Sequence, residues 1–243
     1  MKAKLLLGFI LSSFCLMHST RGWAQDTSSV RIKKDTVSYL LPKALTLGID
    51  ISYPIRYAFN KDEKVFEVVA DFRFNNNWYA AVEAGYADAS QENSYISYNT
   101  KGGYLKLGAN RNLIKFQKAS NNSVYAGARA VISVLNTDVY NYTINQKDWP
   151  GDVSGSFTDN STVYSLELLL GIKVELLKNF FTGWSIRGGF PIVNKATTDG
   201  YENLYIPGLG FKKNFMFNFN YTLSYMLPMG KAKSKTGTVE NVK

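Results

Sequence analysis

From residue 45 onward, apolar and polar positions alternate in stretch after stretch. Leu45, Leu47, Ile49, Ile51 and Tyr53 are apolar, while Thr46, Gly48, Asp50 and Ser52 between them are small or polar. The same period runs through Phe66, Val68, Ala70, Phe72 and Phe74 against Glu67, Asp71 and Arg73. It continues through Trp78, Ala80, Val82, Ala84 and Tyr86 against Tyr79, Glu83 and Gly85. It is weaker over 103–110, returns over 123–135, 162–176 and 180–190, and is cleanest over 214–227. In that last stretch Phe215, Phe217, Phe219, Tyr221, Leu223, Tyr225 and Leu227 alternate with Asn218, Asn220, Thr222 and Ser224. Side chains of a strand point to opposite faces in turn, so the pattern predicts eight strands, each with one apolar and one polar face. The leucine run in 162–176 also fits an amphipathic helix, which periodicity alone does not separate from a strand.

Connections add a second signal. Those at 54–64, 87–102, 136–161 and 191–213 are long, whereas 75–77 and 177–179 are tight and 111–122 is shorter than its neighbours. Long and short connections in alternation are the mark of an up-and-down barrel with turns at one end and loops at the other. Asn75-Asn76-Asn77 and Leu177-Lys178-Asn179 suit tight turns, because Asn tolerates left-handed backbone positions. An eight-stranded interior is just wide enough for side chains to fill it. The bulky residues of the last strand alone would overfill it, so the aromatic face is expected to point outward. The sequence thus predicts an all-β, antiparallel, eight-stranded up-and-down transmembrane β-barrel. Tyr53, Trp78, Tyr86, Trp184, Phe190 and Tyr225 would form its interfacial girdles.

The N-terminus agrees with export. Lys2 and Lys4 precede an apolar core from Leu5 to Met17, and Gly22-Trp23-Ala24 places small residues before Gln25. That is a cleavable signal peptide over 1–24, shorter in its core than the ~20 residues a spanning helix needs. Phe14 before Cys15 is too large for a lipoprotein signal. The expected organisation is then a periplasmic segment at 25–44, the barrel at 45–227 and a basic tail at 228–243, in the cell outer membrane. The formal charge of +9 includes Lys2, Lys4 and Arg21 of the leader, which leaves +6 on the exported part. Net charge therefore gives no reason to expect a nucleic-acid partner.

His18 and Cys15, the single histidine and single cysteine, both lie in the leader. Histidine triads, thiol nucleophiles and zinc sites built on His or Cys are excluded by that count. Asp148, Asp152 and Asp159 do not have EF-hand spacing, and Gly151, Gly155, Gly208 and Gly210 lack the strand-to-helix setting of a phosphate loop. No cofactor, metal or catalytic residue is expected. The inward face would hold Asp50, Glu67, Asp71, Glu83, Glu167 and Glu175 with Arg73, Lys106, Arg129, Lys173 and Arg187. Such a near balance of signs predicts ion pairs that plug the lumen, since a buried charge persists only when paired. In the longest connection, Tyr140, Tyr142, Trp149 and Phe157 are the candidate contacts for an extracellular ligand. A cap over the barrel mouth, its rings packed on 191–213, is the alternative use of the same residues.

Four stretches together carry a resemblance: Trp78 to Tyr86, Val124 to Arg129, Gly183 to Arg187, and Tyr205-Ile206-Pro207-Gly208-Leu209-Gly210. The chain resembles, from about Leu45 to Leu227, a domain-of-unknown-function family (DUF6048-like) of Bacteroidota-type outer-membrane β-barrel proteins. The resemblance implies a location and a fold, and no substrate, reaction or site residue. Outer-membrane lipid and, during biogenesis, the barrel-assembly machinery are the expected partners, with any extracellular ligand unspecified. The function this predicts is a non-enzymatic closed barrel displaying its loops. A narrow pore for small solutes and a soluble periplasmic ligand-carrying barrel are the alternatives.

Overall fold

A computed structural model describes residues 37–59, 61–114, 120–144, 153–196, 198, 201–213, 215–230 and 233–236. The leader at 1–24 and most of the segment at 25–44 lie outside these residues, as do Trp149, Asp148 and Asp152. In chain order the elements begin with β1 (Val37–Leu40), β2 (Lys43–Asp50), α1 (Ser52–Phe59), β3 (Glu63–Arg73), β4 (Trp78–Glu92) and β5 (Ile96–Asn112). They continue with β6 (Ser123–Ile144), β7 (Val153–Leu177), β8 (Phe180–Lys195), β9 (Tyr205–Ile206), β10 (Gly210–Phe211), β11 (Met216–Met229) and β12 (Lys233–Thr236). Strands β2 to β8 and β11 form a closed antiparallel barrel of eight strands, each paired with its sequence neighbour and β11 closing on β2. The 162–176 stretch is strand, which resolves its ambiguous period. Beyond the closing seam, β1 pairs with β12, from Val37↔Thr236 to Leu40↔Lys233.

The walls are taller than the alternation foretold. Strand β5 starts at Ile96 rather than 103, β6 runs on to Ile144, and β7 begins at Val153. Most of 87–102 and of 136–161, expected as loops, is therefore wall. Asn93 turns β4 into β5, its Oδ1 accepting the amides of Tyr95 and Ile96. At the opposite end Asn75 turns β3 into β4 in the same way, accepting from Asn77 and Trp78 at 2.9 Å, with no left-handed residue. Asn179 does adopt the left-handed region there, at φ 64°.

Register shows where the outer apolar face stops. Across β3 to β7 one outward row reads Val68, Ala84, Leu105, Ile132 and Tyr164, and the next reads Phe66, Tyr86, Gly103, Val134 and Thr162. The row after that is Lys64, Asp88, Lys101, Asn136 and Asn160. Asn136 donates to Asn160 across the strands at 2.8 Å, and Thr158 donates to Asp138 one row further up at 2.8 Å. Below this edge Leu166, Leu168, Leu170, Ile172, Trp184, Ile186, Phe217 and Phe219 all stand exposed. Along β7 the belt runs from Tyr164 to Leu176. That is about 40 Å of strand and about 30 Å of height at the tilt usual in barrels.

Two expected girdle residues are placed differently. Tyr53 is not at a strand end facing out; it sits buried in the first turn of α1 with the Arg56 guanidinium over its ring at 4.6 Å. Pro54 falls in the first turn, where its missing amide costs no helical bond, and the Asp50 carboxylate accepts the Ser52 amide at 2.8 Å. Phe190 pairs with Leu166 inside the wall rather than at its rim. Trp78, Tyr86, Trp184 and Tyr225 are exposed on the outer face.

Candidate functional site

With the apolar residues outside, the period-two partners point into the lumen, where eight-stranded walls leave space for side chains and little else. Glu67 on β3, Glu83 on β4, Lys106 on β5, Arg129 on β6, Glu167 on β7 and Arg187 on β8 meet at one level and are all buried. Lys106 Nζ lies 3.2 Å from Glu167, 3.4 Å from Glu67 and 3.9 Å from Glu83. The Arg129 Nε donates to Glu83 at 3.0 Å, and Arg187 joins Glu83 to Glu167, the latter at 3.1 Å. Three carboxylates and three cations thus form one neutral cluster spanning most of the barrel.

The other inward residues of the expected set lie apart from it. Toward the short-turn end, Asp71 pairs with Lys173. Arg73 donates to the Pro42 carbonyl at 2.9 Å and to Asn121 at 3.0 Å. Glu175 accepts from the Asn179 amide at 2.8 Å and from Asn121 at 3.5 Å. Asn121 thereby links Arg73 and Glu175, which make no direct bond to each other. Toward the opposite end Asp50 pairs with no cation among the described residues; it accepts from Asn220, Ser52 and Tyr221.

Several functional-looking side chains escaped the charge-based reading. Tyr104 donates to Glu67 at 2.7 Å, and its ring lies on two glycines. A Cβ at Gly85 would stand 2.4 Å from the hydroxyl, and one at Gly208 2.7 Å from the ring, so neither position admits a side chain. Gly208 is also left-handed, at φ 83°. Asn110, Asn121 and Asn220 complete the polar lining. The period of two does place Tyr104 and Asn110 on the face of Lys106, and neutral residues on that face were the signal to follow.

Of the stretch expected as a connection at 191–213, the first residues to Lys195 continue β8, and residues 201–213 fill the mouth. Tyr205, Ile206, Pro207 and Leu209 are buried, with Ile206 and Leu209 packed among Val131, Leu135, Val163 and Met216. Ser133 donates to the Pro207 carbonyl at 2.8 Å, and Tyr205 to Glu63 at 2.8 Å. Burial and the Glu63 charge push the Tyr205 hydroxyl well above its ordinary value. Above this plug Tyr142, Phe157 and Tyr201 stack edge to face, at 6.0 and 4.9 Å between centroids. Tyr142 and Phe157 are therefore wall residues packed on the plug, while Tyr140 is 64% exposed on the outer face. Asp159 is buried in β7 and accepts from the Thr198 amide at 2.7 Å. Among the described residues, no group of His, Cys, Asp and Glu could hold a metal ion.

Solved structures with similar chain paths include the N-terminal β-barrel domain of Pseudomonas aeruginosa OprF. It is 10% identical, with 77% of this chain and 99% of that one covered, at a TM-score of 0.37. Neisserial surface protein A is 14% identical over 79% of this chain and 99% of its own, at 0.37. Ail, the attachment invasion locus protein of Yersinia pestis, is 14% identical over 79% and 97%, at 0.33. No curated protein matches the chain. Residues 6–232 match the family described as a domain of unknown function, DUF6048, and the chain belongs to that family.

Proposed function

We propose that the protein is a non-enzymatic outer-membrane barrel, closed to solutes, that holds a plugged mouth and the tall β6–β7 hairpin above the membrane surface. The outer belt carries this reading. Large apolar side chains stand exposed around the strands, from Phe66 and Val68 on β3 to Phe217 and Phe219 on β11. In water that surface would far exceed the few hundred Å² a monomer tolerates as one patch. In lipid it is the solvent-facing side. A soluble ligand carrier would bury those residues and expose Glu83 and Arg187, the reverse of what their positions are. Closure follows from the neutral cluster of Lys106, Arg129 and Arg187 with Glu67, Glu83 and Glu167, stacked beneath the Tyr205–Leu209 plug.

Fractionation of cells expressing the full chain tests the membrane half, read with heated and unheated gel lanes. Recovery in the detergent-soluble outer-membrane fraction with heat-modifiable migration is expected; recovery in the soluble periplasm overturns it. Planar-bilayer recording tests closure. Negligible conductance is expected, and reproducible ion-selective channels from the unmodified protein would establish the narrow pore instead.

A further inference from the structure

On the outer wall, at the upper edge of the belt, a groove of about 510 Å³ runs between β4 and β7. Tyr86, Gly102 and Val134 line its lower part, and Gly103, in register between Tyr86 and Val134, leaves the wall bare beside them. A Cβ there would meet no atom closer than 3.8 Å, so space for a side chain exists and is left empty. Tyr86 and Val134 flank the gap and are both well exposed. One row higher come Lys101 and the amides of Asn136 and Asn160. An apolar slot therefore opens downward into the belt, directly under a cation and a pair of amides.

Charge at this edge is positive on balance. Lys101 lies 3.9 Å from Asp88, a loose pairing, and Asp88 also accepts from Asn99 at 2.9 Å. Lys64 stands in register on the other side of Asp88, so two cations flank one anion. The next acids, Asp62 and Asp138, are a row further from the belt, and Asp138 is engaged by Thr158. We propose that this groove binds one lipid bearing a phosphate headgroup. Its phosphate would meet Lys101 and the Asn136/Asn160 amides, and an acyl chain would lie over Gly103 between Tyr86 and Val134. Position selects the occupant, because an outward groove at the rim of an apolar belt opens onto lipid and nothing else. The assignment rests on the membrane reading above and adds a ligand to it.

Native mass spectrometry of the full chain, released from nanodiscs of equal parts phosphatidic acid and phosphatidylcholine, tests it. The unmodified chain should retain one phosphatidic acid in preference to phosphatidylcholine. Lys101→Gln should lower that retention roughly tenfold, the loss of one charge-assisted contact. Gly103→Val should do the same by filling the slot, with its Cβ in open space and heat-modifiable migration as the check on folding. Arg111→Gln, which removes a cation over Trp78 at the opposite rim, should leave retention unchanged. Equal retention of both lipids, or retention indifferent to Lys101 and Gly103, overturns the proposal. Displacement by inorganic phosphate alone marks a free-anion site and overturns the lipid assignment. A folded membrane barrel without selective retention defeats only the groove, whereas a chain found soluble in the periplasm defeats the membrane reading as well.

Discussion

Two storeys of the same wall have opposite polarity. Within the belt, β6 and β7 carry Ile132, Val134, Leu166, Leu168 and Leu170 outside, with Arg129 and Glu167 inside. Above it, the same strands carry Asn136, Asp138, Thr158 and Asn160 outside. Inside there, Val139, Tyr142 and Phe157 pack with Tyr98, Tyr201 and Tyr205. Backbone pairing continues across the boundary with one irregularity, near Tyr142, so hydrogen bonding does not set the switch. What stands outside the wall sets it. On the membrane reading proposed above, lipid would take the apolar side chains outward and leave charges to pair in the lumen, whereas water takes the polar ones and leaves the mouth an ordinary aromatic core. The upper storey is built like the soluble barrel that the sequence offered as an alternative.

The lower storey should fail hardest when its charge balance is broken. Arg187→Ala removes the only described cation that joins Glu83 directly to Glu167 by hydrogen bonds, leaving carboxylate oxygens buried without them. Breaking a buried ion pair from one side costs about 3–5 kcal/mol, and urea unfolding of the refolded barrel would read it. Replacing Arg187 with Met and Glu167 with Gln together should cost well under half of that, because the remaining Glu83 keeps Arg129 and Lys106. A single variant as mild as the double would show the cluster to be a solvated lining.

Next in size is a charge placed on the outer face of each storey. Leu168→Arg in the middle of the belt should destabilise the barrel by about 2–4 kcal/mol in lipid, while Thr158→Arg on the same strand and face should cost about 0–1 kcal/mol. Equal costs would move the boundary away from the row at Asn136 and Asn160.

The comparison also explains what was legible in the sequence. Inside the belt the two faces differ sharply, so alternation found each of the eight strands and put the charged residues on the face opposite the apolar one. It could not name the partners. Glu83 and Arg187 lie on β4 and β8, which only barrel closure brings face to face across the lumen. Above the belt alternation fades, since Thr100, Thr137 and Ser161 inside oppose Asn136 and Asn160 outside, polar against polar. Those strand extensions therefore read as loops. The plug was hidden for a different reason: Tyr205 to Gly210 has no period, and its burial comes from the walls that surround it. At Tyr53 a strand end gives way to a helix, since Pro54 cannot donate to a ladder but fits a first helical turn, a signal that was present beside the alternation.

Alkaline pH should loosen the upper storey through Tyr205. Buried Tyr205, beside Glu63, is held neutral and its ionisation pushed above the ordinary 10.0. In an opened mouth it would titrate near pH 10. Closure is thus at full strength below about pH 10 and loses about 1.4 kcal/mol for each pH unit above it, until the folded value is reached. Hydrogen exchange at 205–211 should accelerate above pH 10 in the unmodified chain and much less in Tyr205→Phe. Equal acceleration in both would assign the effect to other groups.

The smallest effect separates two tyrosines two residues apart. By strict alternation Tyr140 and Tyr142 share a face, but the register of β6 against β7 shifts between Val139 and Tyr142. That irregularity leaves Tyr140 outside and turns Tyr142 inward onto Gly155, where a Cβ would stand 2.7 Å from its hydroxyl. Tyr142→Ala removes an edge-to-face partner of Phe157 and should weaken the mouth by about 1 kcal/mol, read as faster exchange at 201–211. Tyr140→Ala touches no packed ring and should leave exchange and urea unfolding within about 0.5 kcal/mol of the parent. If the hairpin displays a binding surface, the order inverts for capture of an extracellular ligand by intact cells, with Tyr140 the residue whose loss matters. A Tyr140 variant that opens the mouth, or a Tyr142 variant that leaves it closed, would mean that the shifted register does not sort the two rings, and the division of the wall into two storeys would lose its upper boundary.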